Sequence, residues 1–439
     1  MSRKLRPLKK QTGAPKTAAL RELKKFPLLD ALFGRRSRRF GVGMEIPDGP
    51  FAYRSKHAPE TISDFERTLL IAIGAGVSGW NLGIPHAAHG AENNGCDYPV
   101  RPVGRTYPSG AAVYGSELLI TDDSGSYITK FRDLDPTAIR EVSAPKELVA
   151  RLEPHIVRIS HERVQIAAEF PHIGTHNHWV ANKPGSTLFV PISDQVETLL
   201  SLLWIYTGEG SPVLDVGGKP FGKPNLLLKD GVLHKERAIP LTVIEAVALK
   251  HTTSEITIAA YNIQLALQAI GLGGWLYTGI NAASLLGAYA EQGTPGFGFR
   301  YQRNSDVPED SIPVGLDGAF EPLIPPYAKS MAEAAERFLD RKFGKDGVFG
   351  ADRPSPYLRD AKVKKALGEP SAEVAQYFVG LVEDIYARFR RFPTTIPSVG
   401  AGLYTQAQHI DTDFYDKFYK EGAYLETHAR HKELWHDED

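Results

Sequence analysis

The sequence predicts an α/β fold of the α+β type, on three observations. Strand-like apolar runs at residues 117–121 (ELLIT) and 188–192 (LFVPI) are interleaved with patterns of helical period. The chain has 439 residues, 42% of them hydrophobic, enough for one large core and long enough for two or three domain-sized units. Residues 256–290 carry no charge, yet Asn262, Gln264, Gln268 and Asn281 interrupt them and Gly271, Gly273 and Gly274 break their centre. A membrane span needs about 20 mostly apolar residues in a row. The stretch therefore reads as a buried helix, a glycine turn and a second buried element.

The elements follow in chain order. Residues 18–26 form a short helix with Leu20, Leu23 and Phe26 at helical spacing, and Pro27 opens a further turn or two carrying Leu29 and Leu32. Residues 62–75 form a helix with Ser63 as N-cap and Glu66 three residues on, a capping box. Residues 78–112 are rich in Gly, Pro, Asn and His, and a stretch of this length without regular structure is usually functional. After the second strand, Asp194 caps an apolar helix that runs to about residue 208. Residues 212–235 read as strands and turns, with Gly217-Gly218 and Asp230-Gly231 as hairpin signals. Residues 241–270 are helical, 293–327 are loops, and 328–344 and 371–391 are amphipathic helices. The tail, 411–439, is aromatic and charged, an arm that packs on a partner subunit or on its own domain.

This gives a basic tail over 1–25, a module over 26–330 with a loop-rich insertion, and a helical extension with an arm over 331–439. The tail sets nine Lys and Arg against Glu22 alone. It reads as a disordered solvated segment, with a transit peptide or an anchor to an anionic surface as the alternatives. It has no apolar core of a secretory signal. The formal net charge is −1, so no global basic field holds nucleic acid. A lone cysteine, Cys96, excludes an internal disulfide and fits a reducing, cytoplasmic compartment.

Three segments carry candidate chemistry. Arg35, Arg36, Arg38 and Arg39 surround Ser37. Guanidiniums this crowded repel each other unless an anion collects them, and a phosphate matches their fork geometry. The alternative is a solvated basic turn. In the segment 105–117, small residues and Ser109 let backbone approach a flat ligand, although an ordinary loop entering a strand has the same look. The helix carrying Asn262 ends at Gly271-Leu272-Gly273-Gly274, which either presents bare N–H groups to a ring or is a plain C-cap.

The order and spacing of these segments resemble the nitroreductase-like FMN-dependent oxidoreductases. In that family an Arg-Arg-Ser-x-Arg motif after the first helix holds the FMN phosphate, and Arg35, Arg36, Ser37 and Arg39 match it. A Pro-Ser loop borders the flavin, matched by Pro108, Ser109 and Gly110, while Ser78 and Asn81 in Ser-Gly-Trp-Asn compete for the same role. Asn262, Gly271, Leu272, Gly273 and Gly274 match the helix end beside the ring. The form Pro-Ser-Gly-Ala-x-x-Tyr-x-x-Glu is closest to the azoline-oxidase branch, which oxidises thiazoline or oxazoline rings in peptides. The basic residue that closes on the phosphate has only Arg300 and Arg303 as candidates. The resemblance implies a central, mostly antiparallel sheet flanked by helices, FMN between the subunits of a homodimer, and hydride transfer between flavin N5 and a small or peptide-borne organic substrate. Gly273 and Gly274 would then stabilise the reduced ring, and a reduced nicotinamide would be a diffusible donor. No catalytic acid or base is named by it.

Three other readings stand beside this one. The chain could bind flavin without turnover, hold another phosphorylated ligand in the FMN position, or be a metal-dependent enzyme. His172, His176 and His178 have ligand-like spacing for the last of these, and His86 and His89 lie upstream. The sequence contains no P-loop, no Gly-x-Ser-x-Gly elbow and no Rossmann fingerprint.

Overall fold

The computed structural model describes residues 6–7, 17–84, 99–135, 144–303, 311–350, 352–367 and 371–436. Cys96, His86, His89 and most of the basic tail lie outside them. The structure is a mixture of helix and sheet, as the apolar periodicities imply. Its central sheet contains β1 (Arg6–Pro7), β2 (Ser116–Asp122), β3 (Gly125–Thr129), β4 (Ile156–Ser160), β5 (Thr187–Asp194), β6 (Gly273–Tyr277), β7 (Val399–Gly400) and β8 (Tyr404–Gln408). The order is β1-β4-β3-β2-β5-β8-β6, with β7 also paired to β5. Every pairing in it is antiparallel.

The principal helices are α1 (Thr17–Lys25), α2 (Leu28–Phe33), α3 (Asp64–Ala75), α4 (Gln195–Gly208), α5 (Leu241–Ile270), α6 (Met331–Phe343), α7 (Ala372–Phe389), α8 (Thr412–Phe418) and α9 (His431–Trp435). Ser63 caps α3 with the reciprocal Glu66 bonds of a capping box, and the Asp194 carboxylate accepts from Glu197 N at 2.9 Å at the start of α4. The two residue patterns that announced these helices are thus their actual starts. The uncharged stretch divides into the C-terminal half of α5, a left-handed cap at Gly271 and strand β6. Among the described residues no helix is long and apolar enough to cross a membrane.

Helix α5 spans 30 residues, about 45 Å of axis. Its C-terminal half packs with α3 and one face of the sheet (Leu70, Phe189, Ile263, Leu267), and its N-terminal half packs with α4, α6 and α7 (Ile244, Leu199, Phe338, Phe378). It is therefore apolar on several sides and shows little amphipathic period. A third cluster covers the opposite sheet face, and a small aromatic one joins Phe40, Trp275, Phe414 and Tyr415.

Two expectations need correction. The region 331–439 is not only helical, because it supplies β8, which lies inside the sheet between β5 and β6. β8 reads Tyr-Thr-Gln-Ala-Gln, with no apolar alternation to reveal it. Its polar side chains are all buried and bonded: Tyr404 OH donates to Ile280 O at 3.1 Å, Thr405 Oγ1 to Ala260 O at 3.0 Å, and Gln406 Nε2 to Val180 O at 3.3 Å. Asp230-Gly231 ends a short helix (Asn225–Lys229) rather than turning a hairpin, whereas Gly217-Gly218 does sit in a turn closed by Asp215 N–H on Lys219 O. Leu29 and Leu32 do lie on a short helix, α2, and are exposed there. The arm over 411–436 packs on its own chain, with Trp435 in the same core as Ala19 and Leu20.

Candidate cofactor-binding site

The arginine segment lies along the edge of β6. Arg38 N–H donates to Gly274 O at 3.1 Å, and Gly274 N–H donates back to Arg38 O at 2.7 Å. Extended backbone alternates its side chains, so Arg38 points inward while Ser37 and Arg39 point out. Arg38 is fully buried. Its Nε donates to Ala423 O at 2.9 Å, Nη1 to Gln268 Oε1 at 2.5 Å, and Nη2 to Gly34 O at 3.1 Å. No carboxylate pairs with it among the described residues, and burial first of all holds its pKa down to about 10. The position that the family motif leaves unspecified is the one that anchors the loop. Gln408 of β8 fixes the same backbone, donating through Nε2 to Arg38 O and Arg39 O at 3.3 and 3.0 Å.

The outward side chains stay available. Arg36 Nη1 curls back onto Phe33 O and Arg35 O, both at 2.8 Å. Arg35, Arg36 and Arg39 form no ion pair with any described carboxylate. The Arg39 guanidinium lies 5.9 Å from the centroid of Trp275. Ser37 and Arg39 border a cavity of about 320 Å³ whose walls include Phe40, Phe51, Trp179 and Tyr419, with the Asp48 carboxylate also in its lining. That size is at the small end of ligand pockets, and aromatic walls with a few polar groups at one side are their usual character.

The glycine turn meets the arginine segment but has little to offer a ring. Gly271 N–H and Leu272 N–H both donate to Leu267 O, and Gly274 N–H is bonded to Arg38. Gly273 and Gly274 are buried and paired with β8. The expectation that Gly273 and Gly274 present N–H groups to a reduced flavin therefore gives way to the C-cap reading. These glycines are needed because the chain itself packs there: a Cβ on Gly271 would lie 2.1 Å from Thr427 O, and one on Gly274 2.2 Å from Gln406 O.

The Pro-Ser loop sits elsewhere. Ser109 Oγ donates to Glu255 Oε1 and accepts from Tyr114 N–H at 2.9 Å, and Ser116 Oγ donates to Glu255 Oε2 at 2.5 Å. Ser109 thus organises its own loop and has no second proton to give. Ala111, Ala112 and Tyr114 have φ of 54°, 49° and 51°, a left-handed run that costs each residue roughly 1–2 kcal/mol. The loop lies so close to α5 that a Cβ on Gly110 would be 2.4 Å from the His251 ring. Asn262 Nδ2 donates to Thr106 O at 3.0 Å, tying the same segment to the helix. Ser78 and Asn81 do not compete with this loop. Ser78 lies on the strand Val77–Trp80, paired with Val103–Arg105, its Oγ donating to Arg105 O at 3.3 Å, and Asn81 follows that strand, its N–H donating to Pro102 O at 2.7 Å.

Glu255 is the group that sequence reading missed here; the signal was a carboxylate at the border of the uncharged second half of the helix. It is fully buried, and burial raises its pKa while the serine bonds oppose the rise. A carboxyl with a raised folded pKa contributes stability that is complete below its unfolded value, near 4.5, and declines as pH rises through the folded value. Glu255→Gln is expected to keep the fold and to flatten that decline, measured as unfolding free energy from pH 4 to pH 8. An unchanged slope would remove Glu255 as its source.

Arg300 and Arg303 do not close on the arginine segment. Arg300 Nη2 reaches Asp317 Oδ2 at 2.6 Å, and Arg303 pairs with Glu291 at 3.6 Å. His172, His176 and His178 are not gathered into a ligand set among the described residues. His172 Nδ1 lies 2.8 Å from Ser284 Oγ in the interior, while His176 and His178 face solvent around the 3₁₀ turn Thr175–Asn177.

The three motifs thus form two places. Ser109 is bound at Glu255, and the glycine turn begins 16 residues later at Gly271, about 24 Å along α5. The same helix also meets the arginine segment, with Gln264 Nε2 donating to Arg36 O at 3.4 Å.

No family model matches the chain, and no curated protein does. Among solved structures, the crystal structure of a protein provisionally described as a nitroreductase, from Ralstonia eutropha JMP134, aligns with a TM-score of 0.29 and 11% identity. The alignment covers 63% of this chain and 86% of that one. Agreement at this level assigns neither site nor activity.

Proposed function

We propose that the chain is an FMN-dependent oxidoreductase acting on a small or peptide-borne organic substrate, with the cofactor phosphate held at Ser37 and Arg39. The observation that carries this reading is the pair of outward donors, free of carboxylate partners and held in place by buried Arg38, at the edge of an aromatic-walled cavity. Arg35 and Arg36 add charge from the same loop. The bound flavin would supply hydride transfer at N5, and the chain's part is to position it and shape the substrate face. Trp179 and Phe51 offer flat walls for a ring system.

The reading includes a site shared by two copies of the chain. A second chain would bring its Pro-Ser loop to the first chain's arginine segment. Beside that segment α2 presents Leu28, Leu29 and Phe33 at 68%, 64% and 75% exposure, an apolar face suited to a homodimer. A reduced nicotinamide fits as a diffusible donor, since no dinucleotide fingerprint is present.

The absorption spectrum of the purified protein, before and after heat release of cofactor, is the direct test. Oxidised-flavin bands with FMN in the supernatant support the reading; a colourless protein that takes up no added FMN sinks it. Arg39→Ala should weaken FMN binding about tenfold to a hundredfold, the worth of one charge-assisted phosphate contact, with the fold intact. Bleaching by reduced nicotinamide and reoxidation by a quinone would separate an enzyme from a binder.

A further inference from the structure

The densest group of ligand-type side chains lies away from the cavity, where the C-terminal arm meets α3. Glu66, His409, His431 and His436 each direct one ligand atom into a common space, and these four atoms all lie within 4.8 Å of one another. Glu66, His409 and His431 are buried, and His436 is half-buried. Glu66 comes from α3, His409 follows β8, and the other two flank α9. We propose that this cluster is a divalent-cation site of His₃Glu composition, matched to zinc, that clamps the C-terminal arm to the body of the protein.

Geometry is the first argument. His431 Nε2 lies 3.1 Å from Glu66 Oε1, His436 Nε2 lies 3.5 Å from the same oxygen, and the two Nε2 atoms are 3.3 Å apart. A tetrahedral cation with ligands at about 2.0–2.1 Å separates neighbouring ligand atoms by about 3.3–3.4 Å. Three atoms from two parts of the chain, α3 and the C-terminal arm, already stand near the edges of that tetrahedron.

Proton placement is the second. His431 Nδ1 lies 2.9 Å from Ile270 O, and a carbonyl only accepts, so Nδ1 carries the hydrogen. Nε2 is then the ring atom left to face the Glu66 carboxylate and His436, the position of a ligand atom. His409 Nε2 faces Thr61 O at 3.3 Å, while its Nδ1 is buried without a hydrogen-bond partner. Glu66 is oriented from behind, its Oε2 accepting from Ser63 N–H at 2.8 Å and from Ser63 Oγ at 2.6 Å. Such outer bonds are the usual support of metal ligands.

The clamp has a structural consequence. The arm it would hold contains Ala423, whose carbonyl receives Arg38 Nε, and Thr427, which packs on Gly271. Four protein ligands leave no open position, so the role is structural rather than catalytic.

The test uses the full chain, stripped with chelator and titrated with Zn²⁺ and separately with Co²⁺. The expected result is one ion per chain, intense visible bands of tetrahedral Co²⁺, and a thermal midpoint several degrees higher with Zn²⁺. His436→Ala should weaken binding at least tenfold while circular dichroism shows the fold retained. His57→Ala, at the exposed group with Asp411 and Asp413, should leave the stoichiometry unchanged. No Co²⁺ bands and no midpoint shift in the wild-type chain would overturn the proposal and leave a histidine–glutamate hydrogen-bond network. Loss of the ion in His57→Ala but not in His436→Ala would overturn it as well. The wild-type spectrum decides the matter even where a variant misfolds.

Discussion

Arg38→Met is expected to cost about 2–4 kcal/mol of folding stability and to lower FMN affinity together with it. Methionine fills similar volume but leaves Gln268 Oε1, Ala423 O and Gly34 O without their donor, each a loss of roughly 1 kcal/mol or more. The removal of a desolvated cation offsets part of this, since no carboxylate compensates the charge. Arg38→Lys should recover little, because an ammonium on a flexible stem cannot serve three divergent acceptors as a planar fork does. Urea unfolding and FMN titration on the same preparations read both effects. A methionine variant as stable as wild type would mean that the loop is held by its backbone bonds to Gly274 alone.

Gly271→Ala carries the other large effect, at about 3 kcal/mol or more. Gly271 ends α5 at φ +90°, where a Cβ costs about 1–2 kcal/mol by itself. The Cβ would also stand 2.1 Å from Thr427 O, a backbone atom that only a shift of the arm can move. Gly231→Ala is the internal control. It has φ +74° with open space around it, so only the conformational cost, about 1 kcal/mol, should appear. Unfolding free energies separate the two, and limited proteolysis should show the arm released in Gly271→Ala alone. Equal costs at both positions would show that the arm yields freely and that it does not hold the glycine turn.

Local signals reported local structure well. Ser63 with Glu66, Asp194 before an apolar run, and Gly271 after the last helical turn name helix ends because capping chemistry acts over three or four residues. The arginine segment was legible as a crowd of like charges, and Ser37 and Arg39 face outward beside a cavity. Other parts were not legible. β8 is a strand of buried polar residues satisfied by distant carbonyls, and no period-2 apolar pattern marks it. The roles of Arg38 and Ser109 turn on Gln268, Ala423 and Glu255, partners 146 to 385 positions away. His409, His431 and His436 are scattered polar residues until β8 and the arm bring them to Glu66.

The sequence by itself determined the mixed helix-and-strand class, the long helix with its uncharged second half and glycine cap, and a crowd of like charges at residues 35–39. These depend on periodicity, capping and charge density, properties of neighbours along the chain. Tertiary structure alone decided which arginine is buried, that the glycine N–H groups serve the fold, and that the Pro-Ser loop stands about 24 Å along α5 from the glycine turn. The physical reason is common to all three. A donor, a lone pair or a charge acquires its role from whatever burial places opposite it, and burial is set by contacts between residues far apart in sequence.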